Sequence, residues 1–215
     1  AQPVVAQDVA TFVNLGFSSN NRVFMFGQYG IVRETGNPFS EIYTVDVPGN
    51  VFVSGGVFTE TYENRLSPGQ DGLGAMFKLL PRAAQVVTRH NIDHLRQGRL
   101  VYLLVNGEEP RPSLSFRDFE TGNRYSVRLV QSQRGAGESG SAAFHIELTI
   151  EFPNGVTYSE IIGRPSYYRD GVNKYQIKQI LVSPDERSLV VVVEKLTNTP
   201  GGRTVRYMVE TATFR

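Results

Sequence analysis

The feature that most constrains this chain is a strict two-residue alternation from Phe144 to Phe152. Phe144, Ile146, Leu148, Ile150 and Phe152 are apolar, and His145, Glu147, Thr149 and Glu151 between them are polar. Successive side chains of a strand point to opposite faces, so this segment reads as a strand with one face in a core. Pro153-Asn154-Gly155 then turns the chain, and Val156, Tyr158 and Ile162 continue on a return strand. The same grammar takes Leu114 and Phe116 through Glu120-Thr121-Gly122-Asn123 to Tyr125, Val127 and Leu129, and joins Ile42–Val47 to Val51–Phe58 through Pro48-Gly49-Asn50. Further strands are expected near 11–17, 22–30, 99–105, 175–182, 188–195 and 204–213, about a dozen in all.

One stretch departs from this period. From Asp71 to about His90 the apolar positions Leu73, Met76, Phe77, Leu80, Ala84 and Val87 have helical gaps. Pro81 lacks the N–H that a helix interior needs, so it kinks or splits the segment. Ile92 falls on the polar side, which ends the helix near Asn91. The expected fold is all-β, mainly antiparallel, with one amphipathic helical segment over about 71–90 covering a sheet. A β-sandwich or barrel-like arrangement fits, with an incomplete propeller-like arrangement as the alternative. Nothing in 1–215 reads as a linker, so one β domain is expected.

The 215 residues carry 22 basic and 21 acidic side chains, a net charge of +1. That balance speaks against nucleic acid, whose binders show a strongly basic face. Cysteine is absent, which excludes disulfides, thiolate metal sites and cysteine nucleophiles. No apolar run of about 18 residues is present to span a membrane as a helix. The opening Ala1-Gln2-Pro3-Val4-Val5-Ala6-Gln7, without Met or a basic leader, reads as what is left after a signal peptide is removed.

Two segments echo each other at an offset of 165 residues. Leu15-Gly16-Phe17-Ser18-Ser19-Asn20-Asn21-Arg22-Val23-Phe24 pairs with Ile180-Leu181-Val182-Ser183-Pro184-Asp185-Glu186-Arg187-Ser188-Leu189. Both read as strand, tight polar turn, strand, and the grammar resembles blades of the TolB-like and WD40-like propellers. It places Phe17 and Val182, and Phe24 and Leu189, at equivalent core positions. A loop through Asn37-Pro38 is expected before the next strand of the first unit.

The first third resembles a particular family on Gln7-Asp8-Val9-Ala10, Leu15–Ser18, Phe24–Gly30 and Pro38–Asp46. Tyr175–Val193 and Arg206–Val209 resemble its C-terminal end, while about 60–140 matches poorly. The family is the bacterial predicted secreted proteins catalogued as domain of unknown function 2259. It usually has Pro-Asp-Gly where this chain has Ser19-Asn20-Asn21. The resemblance implies export and no particular activity.

Candidate sites are few. Gly135-Ala136-Gly137-Glu138-Ser139-Gly140 spells G-x-G-x-x-G, but a strand, not the required helix, is expected next. Catalytic residues and cofactors are therefore not assigned. His90, Asp93 and His94 have a zinc-like spacing, and a metal-dependent hydrolase built on them is one alternative; the helix end near Asn91 works against it. Lys78, Arg82 and Arg89 fall on one helical face and Arg96 and Arg99 follow, with Asp93 the one acid between Gly72 and Gly107. Such a stripe suits an acidic envelope component, glycan or protein. Tyr167 and Tyr168, in a loop 165–171, are placed to stack on sugars or anchor a protein. The functional expectation is an exported periplasmic or envelope-associated binding module, with a structural envelope component as the other alternative.

Overall fold

A computed structural model describes residues 6–67, 69–135, 139–199 and 202–214. The fold is all-β with one broken helical segment. The strands are β1 (Ala6–Val9), β2 (Thr11–Ser18), β3 (Val23–Val32), β4 (Asn37–Asp46), β5 (Val51–Thr61), β6 (Ile92–Asp93), β7 (Arg99–Leu103), β8 (Ser113–Arg117), β9 (Arg124–Arg134), β10 (Ser141–Glu151), β11 (Thr157–Asp170), β12 (Val172–Val182), β13 (Ser188–Thr199) and β14 (Gly202–Thr213). They make three sheets, ordered β5-β4-β3-β2-β6, β1-β14-β13-β12-β7 and β11-β10-β9-β8. All pairings are antiparallel except that of β1 with β14.

The sheets are layered, and their apolar faces show how. Phe17, Phe24, Phe26 and Val45 of the first sheet meet Leu181, Val190, Val192 and Val209 of the middle sheet. The opposite face of the middle sheet, with Val182, Leu189, Val191 and Val193, meets Tyr125, Val127, Phe144, Ile146 and Leu148 of the third. The middle sheet is thus covered on both sides, and every residue of β13 from Ser188 to Glu194 is buried. Burial on two faces is why this strand reads as an unbroken run of valines rather than an alternation. The stack stops at both ends. Helical residues Met76, Leu79, Ala83 and Val86 cap the outer face of the first sheet through Leu15, Met25 and Ile42. The outer face of the third sheet is polar, with an Arg128–Glu147 ion pair and a Thr149–Ser159 hydrogen bond.

The two echoed segments are equivalent hairpins. Phe17 pairs with Phe24 and Val182 with Leu189, and all four are fully buried. Phe17 points at the middle sheet and Val182 at the third, so the units stack in the same sense. Gly98 lies between them. Its φ is +72°, and a Cβ there would stand 2.5 Å from the Val182 carbonyl oxygen and 3.0 Å from the Phe17 ring. Glycine meets both demands.

Three local expectations are corrected. Asn37-Pro38 is the start of β4, with Pro38 opposite Ile31, not a loop. Residues 165–170 belong to β11. Pro165 is tolerated there because β11 is an edge strand, and Arg164 and Arg169 face Phe144 and Ala142, leaving 165–168 as a bulge without ladder partners on β10. The helical segment spans the expected range but splits into α1 (Leu73–Leu79), a 3₁₀ turn (Leu80–Ala83) containing Pro81, and α2 (Ala84–His90). Its buried side is Met76, Leu79, Ala83 and Val86, while Phe77 is exposed. The 3₁₀ turn winds at 3.0 residues per turn rather than 3.6, which breaks a uniform helical count. Asn91, at φ +50°, ends α2 in the left-handed conformation.

Candidate functional site

Beside the layers, a cleft of about 670 Å³ opens along β14 between β4–β5 on one side and β11 on the other. The fold builds it simply. β1 runs beside β14 only as far as Val205, so the rest of that edge has no strand beside it among the described residues. The first and third sheets flank the gap.

The apolar wall of the cleft continues from the core. Phe17, Phe24, Phe26, Tyr43 and Phe52 form a row of neighbouring rings, with successive centroids 4.6, 6.2, 5.1 and 5.4 Å apart. Tyr43 and Phe52 line the cleft, and Phe52 is exposed. Tyr167 stands on the opposite wall, also exposed, with the Arg169 guanidinium 4.8 Å from its ring centre.

The polar lining has an unusual charge arrangement. Lys195 of β13 and Arg206 of β14 lie directly opposite each other. Like charges at such a pair repel. Arg169 and Arg164 of β11 line the same space. None of these four forms an ion pair with a carboxylate among the described residues. Lys195 Nζ has no hydrogen-bond partner in the described structure, whereas Arg206 donates to the Asp8 and Val205 carbonyls at 3.1 Å and covers the Phe39 ring at 4.0 Å. Burial pushes both cations toward lower pKa; Arg169 and Arg206 depress Lys195 further, against the opposing pull of Glu41.

The carboxylates of the cleft are occupied by neutral donors. Glu41 Oε2 accepts from Gln28 Nε2 at 2.6 Å and from the Tyr43 hydroxyl at 2.8 Å. Burial and the Glu41 charge push the Tyr43 phenol far up. Glu210 Oε2 accepts from Asn50 Nδ2 at 2.5 Å, and burial raises its pKa. Glu160 accepts from Tyr158. Glu41 still attracts Lys195 and Arg206, and Glu210 attracts Arg169 and Arg164, but none of these closes to an ion pair among the described residues.

The residues singled out in the sequence are dispersed. Lys78 is exposed on α1 with its ammonium 4.6 Å over Tyr62. Arg82 pairs with Glu60 at 2.6 Å, and Arg89 is exposed near the end of α2. Arg96 is drawn inward, donating to Asn21 Oδ1 at 2.8 Å. Arg99 makes a two-pronged bond to Asp118 at 2.6 and 2.7 Å and reaches Glu186 at 3.2 Å, tying the middle sheet to the third. The Arg99 hydrogen bond holds the Asp118 carboxyl down to about 2. Tyr167 and Tyr168 part company: Tyr168 bonds Ser132 at 3.2 Å under the Arg134 guanidinium. His90 closes α2, Asp93 caps the following turn, and His94 Nδ1 contacts the Leu15 carbonyl at 2.6 Å. No group of three or more His, Cys, Asp or Glu is placed to hold a metal ion among the described residues. The strand β10 follows the glycine-rich loop directly; Ala136, Gly137 and Glu138 of that loop lie outside the described residues.

Arg164, Arg169, Lys195 and Arg206 are not a motif in the sequence, because they sit on three strands of two different sheets. A signal was present. Once 188–195 and 204–213 are paired as a hairpin, the register sets Lys195 against Arg206.

Residues 25–213 match the family described as predicted secreted proteins, domain of unknown function 2259. The chain belongs to this family. The match runs through the middle of the chain, including the segment 60–140 that resembles the family least by inspection, and starts after the Gln7–Ser18 stretch. No curated protein and no solved structure matches the chain. Among the described residues, no helix is long and apolar enough to cross a membrane.

Proposed function

We propose that this protein is a ligand-binding module of the bacterial periplasm or cell envelope, delivered there by a signal peptide, and that the cleft along β14 holds an anionic ligand. Membership of a secreted family supports the location. One observation carries the binding reading: Lys195 and Arg206 face each other across a ladder, with Arg169 beside them and no carboxylate in an ion pair with any of the three among the described residues. Partial burial and mutual repulsion oppose this cluster, against the pull of Glu41 and the carbonyl and ring contacts that hold Arg206 and Arg169. An anion placed there relieves both. Tyr43, Phe52 and Tyr167 provide flat apolar surface for the body of that ligand.

The exposed stripe Lys78, Arg82 and Arg89 offers a weaker alternative surface, because Arg82 is already paired and Lys78 lies on a ring. Calorimetric titration with glutarate, inorganic phosphate and neutral glucose separates the two. Binding of the anions but not glucose, weakened by salt and lost in Lys195→Met, supports the cleft. Binding that survives Lys195→Met but is lost in Arg82→Glu/Arg89→Glu moves the site to the helix. Fractionation of cells expressing the full-length gene tests the location: protein confined to the cytosol contradicts it.

A further inference from the structure

We infer that the ligand of this cleft is a short acidic peptide, one residue of which pairs by its backbone with Val209 of β14 while a carboxylate reaches Lys195 and Arg206. The inference rests on the cleft being the binding site. Beyond Val205 the edge of β14 has no neighbouring strand among the described residues, the last backbone contact being Ala10 N–H to the Val205 carbonyl at 3.1 Å. A strand edge presents the N–H and C=O of every second residue, here Tyr207, Val209 and Thr211. Two side-chain amides imitate the missing strand. Gln28 accepts from the Tyr207 N–H at 2.7 Å and donates to its carbonyl at 3.3 Å. Asn50 accepts from the Thr211 N–H at 2.9 Å.

Val209 lies between these two plugs. Its partner across the ladder is Val192, two residues from the Glu194–Tyr207 pair. Since Tyr207 turns its backbone groups outward, the two-residue alternation turns those of Val209 outward as well. They have no partner among the described residues, and Val209 lines the cleft. One N–H and one C=O at strand geometry are what a peptide residue pairs with. The Gln28 plug limits the ladder to that residue, so the rest of the ligand passes over Gln28 toward Arg206. Val209 and Arg206 are three positions apart, about 10 Å at a strand's rise, the reach of a few extended residues. Tyr43 with Phe52 on one wall and Tyr167 on the other flank this path. Four cations without an ion pair among the described residues select an acidic rather than a basic peptide.

The test uses the whole ¹⁵N-labelled protein and three probes: a pool of blocked tripeptides acetyl-X-X-Glu-amide, the same pool with its amides N-methylated, and glutarate. N-methylation removes the pairing N–H without changing charge. The inference expects the unmethylated pool to slow exchange of the Val209 amide and to bind about tenfold more tightly than the methylated pool, with both effects lost in Lys195→Met. Equal affinity of the two pools, or unchanged Val209 exchange, overturns the peptide reading and leaves an anion site if glutarate binds in a Lys195-dependent way. If no probe binds, or binding ignores Lys195→Met, the cleft reading fails with it.

Discussion

Ser18 and Ser183 close their turns with the same bond. Each hydroxyl oxygen accepts the backbone N–H five residues on, from Val23 at 2.9 Å and from Ser188 at 3.0 Å. Each hydroxyl also donates to the acidic or amide side chain two residues on, Asn20 at 2.8 Å and Asp185 at 2.6 Å. The next strand then closes on the turn in both units: Val47 N–H and Phe214 N–H donate to the Arg22 and Arg187 carbonyls, both at 2.8 Å. Replacing either serine with alanine leaves a buried N–H without its acceptor, which costs about 1–3 kcal/mol. Urea unfolding of Ser18→Ala and Ser183→Ala should show similar losses, and no loss in either would mean the hydroxyls are dispensable.

The third residue of each turn is left-handed, Asn21 at φ +59° and Glu186 at φ +60°. Asparagine tolerates this conformation; glutamate is strained by about 1–2 kcal/mol. Glu186→Gly should therefore raise stability by about 1 kcal/mol, since the Arg99 contact it loses is largely exposed. Asn21→Gly should give no such gain, because it also removes the acceptor of Arg96. Equal effects of the two changes in thermal unfolding would contradict this assignment of strain.

Phe17 is fully buried against Phe24, with ring centroids 4.6 Å apart. Phe17→Ala should cost about 3–5 kcal/mol. A loss below about 1 kcal/mol in denaturant unfolding would mean that the first and middle sheets do not rely on this ring.

Asp118 is buried, and its folded pKa of about 2 lies below the ordinary 3.8. The stability it contributes is complete above pH 3.8 and is lost as pH falls from there through about 2. The amount is on the order of 2 kcal/mol. Arg99→Gln should flatten this part of the pH–stability profile and lower stability at neutral pH by about 2–3 kcal/mol. An unchanged acid limb would remove the ion pair from the account.

The strands, the hairpin echo and the helix with its break at Pro81 were legible because period and turn chemistry are local. The helix face differs at Phe77, because α1 buries Ala75, Met76 and Leu79 and so turns Phe77 to the outside. The bulge at Pro165–Tyr168 was read as a loop, since its backbone breaks the ladder while remaining extended. The cleft was not legible: it depends on three sheets meeting at one edge of β14, and on a strand pairing that stops at Val205. Arg96 and Arg99 looked like surface cations because their partners Asn21 and Asp118 are distant in sequence.

The central claim is that Lys195 is present for a ligand and not for the fold. Its folded pKa is depressed, so its charge opposes folding at neutral pH, and stability rises as pH climbs from the folded pKa toward the ordinary 10.5. The direct test is thermal unfolding of wild type and Lys195→Met at low ionic strength, with and without glutarate. The account predicts that Lys195→Met unfolds at a higher temperature than wild type without anion and no longer responds to glutarate. A variant that unfolds at a lower temperature and keeps the wild-type response to glutarate would contradict it.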